Sequence, residues 1–244
     1  MWYAFPFLVA FLSCLSSPVW ALQDFAQFQS ENIGSGVGGV TAITLGPDNN
    51  LYFQEQDGDI FRFVLDQSTG RPTGSAQLLF DGNDAAAIGL TFTPNATSGN
   101  LEAVVTYAES FADDSSGPTV PGDIVPGVSN VARLTLPSVG DTTLATRTDV
   151  ITGLNVGTGA HSANQPVFGP DGRLYWNQGS LSGGGSQEVA LSAATLIADI
   201  LDPNFQPIDV SDPSFDPFAT DSPCLLYTSP SPRDQRGSRM PSSA

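Results

Sequence analysis

LGPDNNLYFQ (residues 45–54) and FGPDGRLYWN (residues 168–177) align position by position without a gap. In each, an apolar residue closes one extended run, Gly-Pro-Asp makes a turn, and a second run opens with Leu and continues in aromatic residues. A looser copy, FTPNATSGNLEAVVTY (residues 92–107), lies between them. Proline presets the backbone for the first central position of a turn, and an aspartate side chain accepts hydrogen bonds from the backbone just beyond it. Asp48 and Asp171 occupy equivalent points of the repeat, so both are read as turn caps rather than catalytic acids. The recurring unit is a β-hairpin.

More strand-like runs follow each hairpin. IFRFVLD (60–66) comes after an Asp57-Gly58 turn signal, and QLLF (77–80) ends before Gly82-Asn83. The second unit reads as strands at 88–92, 101–107, 130–136 and 144–151, with a Pro/Gly/Asp-rich insertion over 110–129. The third begins at Pro166, continues to Gln178 and runs into 188–201, where Ala and Leu content favours a helix and position favours a strand. Units of roughly 45 residues with four short antiparallel strands describe a β-propeller blade. The expected fold is therefore all-β: a partial propeller of about three four-stranded blades, of a presumed six. A twisted four-stranded sheet cannot cover both of its own faces, so an unclosed set of blades is expected to be prone to aggregation.

Both ends are set apart from this reading. Residues 1–21, MWYAFPFLVAFLSCLSSPVWA, have no charged side chain, hold an apolar run and end in Val-Trp-Ala. They are read as a secretory leader, which places the product outside the cell or in a periplasm. A retained anchor and a lipoprotein cysteine at Cys14 are the other readings. At the far end, residues 224–244 change composition abruptly and supply three of the eight arginines. Written as codons, 224–234 resembles one frame of a transposon-end sequencing adaptor and 238–244 resembles a flow-cell primer. Residues 224–244 are read as a library scar, and 22–223 as the N-terminal half of the propeller.

Charge narrows the partners. The chain has 25 acidic and 8 basic side chains, all of the latter Arg, for a net charge of −17. A nucleic-acid surface is excluded on that balance, and no membrane span is expected once the leader is cleaved. The absence of Lys removes Schiff-base chemistry and a Walker lysine, and residues 22–223 contain no cysteine, so thiolate catalysis and thiolate metal sites are excluded. No G-x-S-x-G motif is present. Asn95-Ala96-Thr97 is an N-glycosylation triplet.

One histidine remains, His161, in GLNVGTGAHSANQPVFGPDGRLYWNQGS. A lone histidine in a loop is by default a surface or structural residue. Three features weigh the other way. It lies in a Gly-rich connection just before a strand, Asn164, Gln165, Asn177 and Gln178 cluster beside it in sequence, and imidazole is the side chain that takes a proton near neutrality without special tuning. Carboxylates gather at Glu55/Asp57/Asp59, Asp113/Asp114 and Asp209/Asp212. Their spacing matches no EF-hand, and solvated turn aspartates are the plainer reading.

The two GPD hairpins, the histidine segment leading into the second, and IGLTFTPNATSGNLEAVVTY together resemble the soluble glucose/sorbosone dehydrogenase family over roughly residues 36–203. The resemblance implies a secreted six-bladed propeller that binds pyrroloquinoline quinone (PQQ) with calcium and oxidises a small sugar or polyol. It implies His161 as the base that takes the proton from a sugar hydroxyl, and it places Asp84 and Gln178 at substrate-binding positions. Ala160 stands where the family has an aspartate before the histidine, and Leu181 where it has a glutamine. The cofactor-binding and metal-binding residues are expected beyond residue 223, so no activity is expected of this chain alone. A calcium-dependent lactonase-like hydrolase, with Glu31 and Glu55 as its acidic candidates, and a non-catalytic extracellular binding propeller are the alternatives.

Overall fold

The computed structural model describes residues 38–83, 85–110, 127–156, 162–179, 191–216 and 224–227. Every regular element among them is a strand. A first sheet orders β1 (Val40–Leu45), β2 (Leu51–Glu55), β3 (Ile60–Phe63) and β4 (Gln77–Phe80) in sequence. A second runs β5 (Ala86–Phe92), β6 (Leu101–Ser110), β7 (Gly127–Leu136) and β8 (Thr146–Val156). The third contains β9 (Val167–Phe168), β10 (Leu174–Gln178) and β11 (Ala194–Ala198). These are three blades of a β-propeller, as the repeat predicts.

The repeat is a repeated set of hydrogen bonds. In blade 1 the Asn49 amide donates to the Gly46 carbonyl at 3.0 Å, and the Gly46 amide donates to the Asn50 carbonyl at 2.9 Å. In blade 3, Gly172 donates to Gly169 at 3.0 Å and Gly169 to Arg173 at 2.9 Å. Asn49 and Gly172 take the left-handed conformation that ends such a turn, with φ of 60° and 79°. The Tyr52 hydroxyl donates to Asp48 Oδ2 and the Tyr175 hydroxyl to Asp171 Oδ2, both at 2.8 Å. The tyrosine ring lies against the glycine: a Cβ on Gly46 would sit 2.4 Å from Tyr52 Cε2, and one on Gly169 2.6 Å from Tyr175 Cε2. Gly, Pro, Asp and Tyr are thus retained together because each completes the others' geometry.

Blade 2 buries both of its faces. Along β6, Ala103, Val105 and Tyr107 join Ala42, Tyr52, Ile60 and Leu79 of blade 1, while Val104 joins Leu174, Trp176 and Leu196 of blade 3. Alternate residues of one strand enter opposite cores, which is why LEAVVTYA reads as almost continuously apolar. Tyr52 meets Phe92 edge-on, with centroids 4.9 Å apart. The far face of blade 1 leaves Ile43 and Leu45 exposed.

Several elements differ from expectation. The 188–201 run is a strand where described, because Leu196 and Ala198 fill the blade 2–blade 3 core and Thr195 and Ile197 pair outward. The strands of blade 2 extend further than their apolar runs. A short β12 (Ile208–Asp209) adds to β8 in parallel, as a fifth strand of that blade. The last strand, β13 (Cys224–Tyr227), pairs antiparallel with β11. An open strand edge recruits any β-prone segment through its backbone, so this pairing follows from β11 rather than from a particular sequence.

Tyr52 and Tyr107 are buried phenols, and burial raises the pKa of each well above the ordinary 10.0. The Tyr107 hydroxyl also donates to Asp149 at 2.7 Å, which favours the protonated phenol further. The unfolded chain loses these protons more readily than the folded one. Their contribution to stability is therefore complete below pH 10 and is lost as pH rises beyond it. Urea midpoints are expected to fall between pH 9 and pH 11, and the fall should be smaller in the Tyr52→Phe/Tyr107→Phe double variant.

Candidate functional site

Strand direction brings Gln178 and the described ends of the connections that contain Asp84 and His161 to one end of the blades. The β2–β3 and β4–β5 connections meet there: the Gly82 amide donates to Asp59 Oδ1 at 2.9 Å and the Ala87 amide to the Gln56 carbonyl at 3.1 Å. Gly58 and Gly82 permit this contact, because a Cβ on Gly82 would lie 2.4 Å from the Gly58 carbonyl carbon. Since β5 starts at this end, β6 and β8 finish there, and so does β10, whose last residue is Gln178. Asp84, in the β4–β5 connection, and His161, in the β8–β9 connection, lie outside the described residues, as do Ala160, Leu181 and Glu31.

The described part of the histidine segment, residues 162–166, is wedged between blades 2 and 3. Ala163 bridges Gln178, the Asn164 amide donates to the Asn177 carbonyl at 2.9 Å, and the Gly179 amide donates to the Ser162 carbonyl at 3.0 Å. On the other side, Gln165 imitates a strand. Its Nε2 donates to the Leu90 carbonyl at 2.7 Å and its Oε1 accepts from the Leu90 amide at 3.3 Å. Thr106 Oγ1 donates to the Asn164 carbonyl at 3.1 Å. Sequence reasoning groups Gln165 with its polar neighbours, but nothing in the pattern signals this clamp.

Gln178 is buried, at 3% exposure. Its Nε2 donates to the Asn155 carbonyl at 2.7 Å and lies 3.4 Å from Ser129 Oγ, tying β10 to blade 2. Its Oε1 has no hydrogen-bond partner among the described residues, and the same holds for the buried Ser162 hydroxyl. A buried amide oxygen left unpaired costs about 1–3 kcal/mol, so this atom is poised to accept a hydrogen bond. At the equivalent repeat position in blade 1 stands Glu55, also buried, whose Oε1 accepts from the Gly38 amide at 2.7 Å.

A tricarboxylate quinone calls for cationic donors. The described connectors at this end (56–59, 81–83, 162–166 and 179) contain no arginine. Arg62 is occupied in the blade 1–blade 2 contact, Arg133 pairs with Glu102, and Arg147 pairs with Asp149 beneath the Tyr107 ring. Among the described residues no three His, Cys, Asp or Glu side chains are grouped to hold a metal ion. The described residues therefore fit neither PQQ nor calcium by themselves. A cavity of about 670 Å³ lies elsewhere, lined by the Asp-rich 199–216 segment. There Asp202 accepts from the Asn204 amide, Asp209 from Ser211 and Asp212 from Ser214, so the aspartates serve their own turns. No described helix is long and apolar enough to cross a membrane.

No family model matches the chain, and no curated protein does. Solved structures do. The holo form of the pyranose dehydrogenase PQQ domain from Coprinopsis cinerea is similar at TM-score 0.51 and 16% identity, over 72% of this chain and 37% of that one. The calcium structure of a family AA12 carbohydrate-active enzyme from Trichoderma reesei matches at TM-score 0.50 and 15% identity, over 72% and 40%. The PQQ-bound aldose sugar dehydrogenase from Streptomyces coelicolor gives TM-score 0.49 and 17% identity, over 73% and 52%. The first two likenesses carry the propeller fold. The chain spans about two fifths of the length of each of those two structures and about half of the third.

Proposed function

We propose that this chain is part of a secreted, quinone-dependent sugar or polyol dehydrogenase-like propeller, inactive by itself, to which it contributes one wall of the substrate site. The observation that carries the reading is the fixed 162–166 segment: the backbone leading out of the only histidine is held to blade 2 by Gln165 and Thr106 and to blade 3 beside the unpaired Gln178 oxygen. In this role His161 accepts a proton from a substrate hydroxyl, and Gln178 Oε1 accepts a hydrogen bond from a neighbouring one. Asp84 accepts another from the blade 1 side. Ala160 supplies no carboxylate to orient the imidazole. The cationic donors for the quinone, and the ligands of any calcium ion, would come from residues other than those described.

The test uses the reading frame extended from source DNA beyond the codon for Pro223. The purified product is expected to reduce a dye with aldoses or polyols only after quinone is added. His161→Ala is expected to lower kcat by at least about a hundredfold, the low end of what a positioned general base contributes. Lactone hydrolysis that requires calcium and ignores quinone would instead establish the hydrolase, and neither activity would establish a binding propeller.

A further inference from the structure

We propose that Asn95 carries an N-linked glycan, added as the chain passes through a eukaryotic secretory pathway; this rests on the reading of residues 1–21 as a leader. Asn95-Ala96-Thr97 is the only Asn-x-Ser/Thr triplet in the sequence. The blade comparison shows why this asparagine is available. Thr93, Pro94 and Asn95 of blade 2 align with Gly46, Pro47 and Asp48 of blade 1 and with Gly169, Pro170 and Asp171 of blade 3. In those two blades the third position is engaged by a tyrosine hydroxyl at 2.8 Å. Blade 2 has Glu102 where the others have Tyr52 and Tyr175, and Glu102 pairs across the sheet with Arg133.

With no phenol to hold, Asn95 loses the structural task of its counterparts. The tyrosine ring that lies against the glycine in the other two blades is replaced here by Glu102, and a buried Thr93 stands where they have glycine. Asn95 and Thr97 are exposed and their side chains make no hydrogen bond to a described residue. The triplet is displayed on two successive tight turns. The Ala96 amide donates to the Thr93 carbonyl, and Thr97 and Asn100 exchange backbone bonds, all at 3.0 Å. A Cβ on neighbouring Gly99 would meet nothing within 4 Å, so the space beside the turn is open. The β5–β6 turn is at the end of blade 2 opposite the connectors, which keeps a glycan away from Gln178.

The co-reactant is a polyprenyl-diphosphate-linked oligosaccharide. A bond forms between Asn95 Nδ2 and sugar C1, the C1–O bond to the diphosphate breaks, and the lipid diphosphate leaves with the electron pair. The amide proton passes to a base of the transferase. No oxidation state changes.

The full chain is translated in vitro with eukaryotic microsomes, with protease protection scored on the same sample. Protected chain is expected to run as one heavier species that collapses on peptide-N-glycanase treatment, leaving Asp at position 95. The shift should be lost in Asn95→Gln and Thr97→Ala and kept in Thr97→Ser. Protected chain without the shift overturns the proposal. Unprotected chain refutes the leader instead, and the same measurement behind a heterologous leader then decides Asn95 by the same criterion.

Discussion

Gly89→Ala is expected to destabilise the folded chain by about 3 kcal/mol, at the upper end of what overpacking a filled site costs. Gly89 follows the bulge that shifts the β5–β6 register between Ala87 and Gly89. A Cβ there would lie 2.3 Å from Pro166 Cδ, 2.7 Å from Gln165 Cα and 2.8 Å from Thr106 Oγ1. Two of these atoms belong to a proline ring and a main chain, so neither escapes by changing rotamer. Relief requires residues 162–166 to move off blade 2. That movement breaks both Gln165–Leu90 bonds and the Thr106–Asn164 bond, and it strains the Ala163–Gln178 bridge. Gly99→Ala is the matched control: it lies in the turn joining the same two strands, has open space around it, and should stay within about 0.5 kcal/mol of the parent. Urea unfolding of the three proteins measures the difference. A Gly89→Ala protein as stable as Gly99→Ala would show that the histidine segment is not packed on blade 2.

The contact at Gly89 marks the limit of what sequence conveys here. Hairpins were legible because the residues that specify them are neighbours: Gly46, Pro47, Asp48 and Tyr52 act on one another within seven positions, and their counterparts repeat the pattern. Blade count followed, since strand length and alternation are also local. Contacts between blades are not local. Gln165 reads as one polar residue among several, and only the fold reveals that its amide completes the hydrogen bonding of Leu90, 75 positions earlier. The parallel β12 strand was equally hidden. It depends on Gly153, whose φ of 79° and missing side chain leave room for Asp209 and Ser211 against β8. Of the candidate site, Gln178 is singled out in the sequence by resemblance alone. Its buried, half-satisfied amide is a structural fact that no pattern of polar residues encodes.

Arg62→Met is expected to cost about 3–5 kcal/mol, the range seen when one partner of a buried charged network is removed. Arg62 is fully buried within β3, at 0% exposure. Its Nη1 donates to the Pro137 carbonyl at 2.8 Å and to the Tyr52 hydroxyl at 3.3 Å, and its Nη2 to Gln77 Oε1 at 2.8 Å and the Ser138 carbonyl at 3.1 Å. The Tyr52 hydroxyl in turn donates to Asp48, so the positive charge is linked through one phenol to the carboxylate of the repeated turn. Methionine fills similar volume and removes the desolvation cost of the guanidinium. It also leaves the carbonyls at the β7–β8 turn and the Gln77 side chain without their donor. Arg62→Lys keeps a charge but cannot span both sets of acceptors with a single ammonium, so it should recover only part of the loss. These acceptors come from blade 1 and blade 2 together, and loss of stability should therefore be accompanied by faster amide exchange at β4 and at the β7–β8 turn, ahead of the β10–β11 pair. If Arg62→Met proves as stable as the parent, the buried arginine adds register rather than strength to the contact between blades 1 and 2.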